Sequence, residues 1–119
     1  MQDYRNLKVW QIAHEITLSI YKATSSFPRS ETFGLTSQLR RAAASIPENI
    51  AEGCGRGSDA DFARFLHIAM GSTNELEYEL LLAKDLSYIT EDVFLNLNNS
   101  IREEKQMLTS LIKKLKAVS

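Results

Sequence analysis

The sequence predicts an all-α fold: an antiparallel up-down-up-down four-helix bundle, with residues 1–119 forming a single domain. Three observations lead there. Apolar residues recur every three or four positions through four long segments, the period of a helix buried along one side. Only five Gly and two Pro stand among 119 residues, too few for the many turns of a sandwich or barrel. The links between the periodic segments are short, and short links make successive helices antiparallel neighbours. A chain of this length buries roughly 65% of its unfolded surface, so it needs no disulfide or metal staple.

The first helix is expected from about Asn6 to Ser25, stopping before Phe27-Pro28 because a residue preceding proline is pushed out of the α region. Val9, Ala13, Ile16, Ile20 and Ala23 form its stripe; Trp10 and Tyr21 widen one edge, and Lys8, Gln11, Glu15 and Lys22 face away. The second is expected from roughly Phe33 to Cys54 on Leu35, Leu39, Ala42, Ile46 and Ile50. Pro47 lies inside this pattern, where it removes a backbone donor and crowds the carbonyl of Ala43. A kink at Pro47 is therefore expected, with the helix continuing beyond it. The glycines from Gly53 to Gly57 end that helix, glycine being the residue that best tolerates a left-handed cap.

Ser58 caps the third helix, and Asp59 and Asp61 favour its positive end. That helix runs to about Leu86 on Phe62, Phe65, Leu66, Ala69, Thr73, Leu76, Leu80 and Ala83. Thr90 caps the fourth, whose seam reads Phe94, Leu97, Ile101, Leu108, Leu111, Leu115 and Val118 before a run of lysines.

Composition narrows the function without naming it. The chain is 44% hydrophobic and 24% charged, with net charge −1, which argues against a uniformly basic nucleic-acid binder. The charge is unevenly spread: +2 over residues 1–30, 0 over 31–58, −4 over 59–90 and +1 over 91–119. A nearly neutral protein can still own a basic face. The lone cysteine, Cys54, precludes an internal disulfide and suits a reducing compartment. No apolar run reaches the length of a membrane span, and MQDYRNLKVWQIAHE lacks the layout of a signal peptide, so a cytoplasmic protein without membrane contact is expected.

No constellation reads as an active site. The Gly53–Gly57 loop follows a helix rather than a strand and lacks the Lys-Ser/Thr of a phosphate loop. His14 and His67 belong to no metal-binding spacing; His67 reads as solvated, and His14 as capping the edge made by Trp10 and Tyr21. Cys54 sits at a helix C-terminus, where the dipole disfavours a thiolate. The expectation is a protein that is not an enzyme and holds no cofactor and no metal.

Three features are left over. Arg40, Arg41, Arg56 and Arg64 are candidates for contacting nucleic-acid phosphates, since a guanidinium fork suits phosphate as well as carboxylate. For Arg40 and Arg41 the competing reading is ion pairing with Glu48, Glu52, Glu75 or an adjacent subunit. The third helix is also apolar on its back, where Ile68, Gly71, Tyr78, Leu82 and Leu86 form a candidate oligomer interface. Finally, Glu104 falls in the seam of the fourth helix. It needs either a partner, such as an arginine or His14, or a splayed bundle end that lets it reach water.

The segments LKVWQIAHEI, FPRSETFGLTSQLRRAAASIPENIAEGCGR and FARFLHIAMGSTNELEYELLLAKDL resemble the 23S rRNA intervening-sequence family of four-helix bundles, over about residues 4–90. QLRRAAASIPENIAEG is the specific part, and Arg40, Arg41, Ser45, Pro47, Asn49, Glu52 and Gly53 match the family motif. The resemblance implies a homopentamer. It extends to the accessory proteins of diversity-generating retroelements, whose pentamers bind nucleic acid and a reverse transcriptase. It thereby implies structured RNA or DNA, or a protein partner, as ligand. One departure is Met70, where the family commonly has a basic residue before Gly-Ser. A scaffold for protein partners with no nucleic-acid role is the alternative.

Overall fold

The computed structural model describes residues 3–118, with the side chain of Val118 excepted. Four helices follow in order: α1 (Lys8–Thr24), α2 (Leu35–Cys54), α3 (Asp59–Asp85) and α4 (Glu91–Val118), with no strand among the described residues. Short 3₁₀ turns, Tyr4–Asn6 and Arg29–Glu31, precede α1 and α2. The two α-helices begin at Lys8 and Leu35, just after the starts at about Asn6 and Phe33 that the periodicity predicts. Each helix packs on its chain neighbours and α1 also packs on α4, whereas α2 and α4 stand on opposite corners. The expected four-helix bundle is the fold.

The stripes read from the sequence form the core. Ile16, Ile20, Leu39, Ile46, Ile50, Leu66, Leu76, Leu80, Ile101 and Leu108 are all buried to within about two per cent of their surface. Each such side chain contributes roughly 1.5–3 kcal/mol by leaving water. On α1, Ala23 is half-buried and Thr24 takes the buried place beside it. On α4, Ile112 is buried while Leu111 and Leu115 sit at the margin of the core. Val118, the last seam position expected, lies outside the described side chains.

The caps follow local chemistry. Ser58 Oγ accepts the Asp61 N–H at 3.1 Å, and Thr90 Oγ1 accepts that of Val93 at 3.2 Å. The glycines after α2 do not use a left-handed conformation. Gly55 closes the helix in the right-handed region, and among the described residues a positive φ occurs at Ser87 (64°), just past α3. There the Tyr88 N–H reaches back to the carbonyl of Ala83 at 2.9 Å, as in a Schellman ending.

Pro47 is buried, and α2 runs unbroken through it. Proline has no N–H to offer Ala43. The orphaned Ala43 carbonyl instead has Thr17 Oγ1 of α1 at 3.1 Å, a hydroxyl that also lies 2.8 Å from its own Ala13 carbonyl. Further along, α2 and α3 close tightly. A Cβ on Gly53 would lie 2.7 Å from Phe65 Cβ, and Ser45 and Ser72 hydroxyls bond at 2.8 Å.

Candidate functional site

The four arginines singled out from the sequence do not gather into one basic face. Arg40 is half-buried: its Nε donates to Thr24 Oγ1 at 2.8 Å, and its Nη2 to the Tyr21 carbonyl at 3.3 Å. Its guanidinium lies 4.6 Å from the centre of the Tyr21 ring. It thus fastens the C-terminus of α1, where a cation also meets the negative dipole end. Arg56 pairs with Glu52 at 2.8 Å and Arg64 with Asp61 at 3.1 Å, and both lie over the ring of Phe65. Such exposed pairs add about 0–1 kcal/mol each, but they occupy the charge. Arg41 differs. It is exposed, and no ion pair holds it among the described residues.

The back of α3 is open to solvent and carries apolar side chains among exposed polar ones, His67, Asn74 and Glu75. Ile68 and Leu86 are exposed, and Tyr78 is 62% exposed. Leu81 joins them, a residue the helical angles did not single out. Leu82 is half-buried and packs against the core at the edge of this face. Gly71 sits within it, and a Cβ there would meet nothing within 4 Å, so nothing in the described chain explains the glycine.

Beside this face lies Glu79, only 7% exposed, whose Oε1 has no hydrogen-bond partner among the described residues. Its carboxyl is pushed up to about 7, mainly by burial and then by Glu75, with Arg41 acting downward. Neither Glu79 nor Arg41 completes the other at ion-pair distance.

Glu104 has a different surrounding. It is 0% exposed, and its oxygens lie 3.0 and 3.2 Å from Thr73 Oγ1, which is also 2.9 Å from the Ala69 carbonyl. Neither an arginine nor His14 is its partner, and it does not reach water. One hydroxyl proton cannot serve three acceptors. With the proton on the carboxyl, Glu104 donates to Thr73 and Thr73 donates to Ala69, which satisfies the whole chain. Burial is the main cause that brings this carboxyl to about 7; Thr73 and Lys105 act downward and Glu77 upward. The group is structural, and both partners already lay in facing core stripes.

The remaining candidates for chemistry stand apart. His14 stacks on Trp10 with centroids 5.1 Å apart, and His67 is exposed. Burial raises the Cys54 thiol above its ordinary value. No group of three or more His, Cys, Asp or Glu side chains suited to a metal ion occurs among the described residues. No described helix is long and apolar enough to cross a membrane.

Sequence reasoning also missed the exposure of Phe33. Phe33, between the Arg29–Glu31 turn and α2, is 96% exposed. Its turn is well fastened: Glu31 Oε1 accepts the Leu35 N–H at 3.0 Å, and Glu31 Oε2 accepts the Tyr88 hydroxyl at 2.9 Å.

Fold and surface together define a four-helix bundle whose third helix leaves apolar side chains uncovered on its back. The family model for the 23S rRNA-intervening sequence protein matches residues 5–110, and the chain belongs to that family. It is similar to a crystallised protein of unknown function from the S23 ribosomal protein family of Bacteroides thetaiotaomicron. The two share 33% identity over 88% of this chain and 98% of the other, with a TM-score of 0.79. No curated protein matches.

Proposed function

We propose that the protein is a non-catalytic, self-associating bundle, a homopentamer as its family resemblance implies, that presents a repeated surface to a macromolecular partner in the cytoplasm. The observation that carries this reading is the back of α3, where Ile68, Tyr78, Leu81 and Leu86 are exposed around an unexplained Gly71. An apolar patch of this kind marks a contact with another protein. The orphan Oε1 of Glu79 beside it supports the same reading, since a donor from a neighbouring chain would satisfy it.

Light scattering at micromolar concentration tests it. Tyr78→Glu should lower the mass to that of one chain, 13.4 kDa, with helical circular dichroism intact. An unchanged mass would sink the α3 interface.

The partner that fits best is a protein. Arg40, Arg56 and Arg64 are each engaged within the chain, which removes three of the four candidate guanidinium groups from phosphate contact. A nucleic-acid role is favoured by one observation, the exposed Arg41 without an ion pair. Repeated around a ring, one weak contact per copy gains avidity. Fluorescence anisotropy with structured RNA and duplex DNA, in salt raised from roughly 50 to 200 mM, separates the two. Steeply salt-dependent binding lost in Arg41→Ala establishes the nucleic-acid role; absence of binding at low salt leaves the protein scaffold.

A further inference from the structure

Three cavities run end to end along the seam between α1 and α4. The first, about 540 Å³, lies where α1 stops and α4 begins, lined in part by Ala23, Ile89, Val93 and Leu97. The next, about 470 Å³, shares Ser19, Leu97 and Ser100 with it. The third, about 510 Å³, shares Lys8 and Glu103 with the second. They form one groove with an apolar floor, on the flank of the bundle diagonal to the start of α2.

At the same end as the first cavity, Phe33 projects from its fastened turn almost wholly into solvent. A loose loop would tuck a phenylalanine away; this turn is tied to both Leu35 and Tyr88 and holds the ring outward. The chain thus carries an aromatic knob and an apolar hole at one level along its axis. A cavity of about 150 Å³ accepts a benzene ring, so the first cavity has room for a phenyl group.

We infer that Phe33 of one copy seats in the α1–α4 groove of the next copy, making the contact between subunits head-to-tail. The inference rests on the self-association proposed above and specifies which surfaces meet. Charge favours a second copy as the occupant. Residues 59–90, mainly α3, carry −4, whereas residues 1–30 and 91–119, mainly α1 and α4, carry +2 and +1. On the surface, Asp59, Glu75 and Asp85 of α3 are exposed, and the groove is lined by three lysines, Lys8, Lys22 and Lys114, against two acids, Glu15 and Glu103, so the two surfaces are complementary in sign. Knob and hole lie at one level, so neighbours mate without sliding along their axes. A contact between two different surfaces closes rings when its rotation permits.

Two exposed substitutions test the contact, neither of which disturbs the core: Phe33→Asp removes the knob and Val93→Asp charges the hole. Each variant alone should fall to a lower mass than the native protein in light scattering, with unchanged helical circular dichroism. Mixed one to one, they should form pairs of twice the chain mass, because one intact knob and one intact hole remain between them. Native mass in either single variant overturns the inference and leaves self-association standing on α3 alone. Dissociation of both without re-pairing on mixing also overturns it, since surfaces that mate with themselves behave that way. A native protein that is itself a single chain at micromolar concentration removes the proposed function, and this contact with it.

Discussion

The two flanks of the bundle are finished in different ways. Between α2 and α3 the chain closes on itself: Gly53 admits Phe62 and Phe65, Ser45 bonds Ser72, and Phe65 is covered by two arginines. Between α1 and α4 the helices leave a groove, with serines along the rim and apolar side chains below. The contrast separates residues that serve the single chain from those whose arrangement the single chain does not require. Small residues occur on both flanks, but Gly53 packs against side chains of α3 that need its smallness, as Gly34 at the start of α2 does against the held Glu31 carboxylate, 2.6 Å from an added Cβ. Gly71, Ser19 and Ser100 do not make such close intrachain contacts.

Substitutions at these positions should therefore differ in size and in their dependence on concentration. The largest effect belongs to Gly53→Val. With Phe65 Cβ 2.7 Å from the first added carbon, the closed flank must part, at more than about 3 kcal/mol in denaturant unfolding at any protein concentration. A loss below 1 kcal/mol would show that the flank is not tightly closed.

Next comes the carboxyl buried between α3 and α4, Glu104. Between its ordinary value of 4.5 and about 7, the folded chain keeps a proton there that the unfolded chain has released. Stability should fall as pH rises through that window, by on the order of 2–3 kcal/mol, and level off above it. Glu79, also brought to about 7 by burial, adds a slope of the same sign in the single chain. Glu104→Gln retains an amide donor for Thr73 and should remove Glu104's share of the slope, leaving that of Glu79. A slope unchanged in this variant would place the proton elsewhere.

Smaller still is Gly71→Ala. An added methyl meets open space, so in dilute, dissociated protein the helix should gain about 1 kcal/mol from propensity alone. If α3 is covered by another copy, that gain shrinks as concentration rises. The smallest change is Ser100→Ala on the groove rim. Single-chain stability should move by less than about 0.5 kcal/mol, so any larger effect seen only at high concentration reports an occupied groove.

Much of this architecture was legible because a helix buried on one side repeats its apolar residues with the period of its turn. The stripes of α1 to α3 needed no knowledge of partners; Thr73 already stood in that of α3, and Glu104 in the seam of α4. The ends were harder to read. Tyr4–Asn6 and Arg29–Glu31 are tighter turns whose composition resembles a helix start, and Ile112 replaced Leu111 in the core as α4 drifted in phase.

The surface was least legible. Arg40 is defined by Thr24 and the Tyr21 carbonyl, contacts spanning 16 and 19 residues that no local spacing encodes. Phe33 before Gly34 looked like the first apolar residue of a helix. Its outward projection depends on Glu31 being held by Leu35 and by the distant Tyr88. Leu82 shows the opposite case: helical angles place it outward, but the packed end of α3 draws it against the core.

One further consequence attaches to Pro47. By withholding its N–H it leaves the Ala43 carbonyl exposed on the side of α2, and Thr17, 26 residues earlier, answers it. Most of the α1–α2 contact is greasy and would tolerate a slip of one turn along the axis. This pair does not, because a slipped α1 would strand a carbonyl in an apolar seam. The proline and the threonine act as a peg and notch that give the first helical hairpin a single alignment. That alignment in turn fixes where Ser19, Ala23 and the rest of the groove wall come to lie opposite α4.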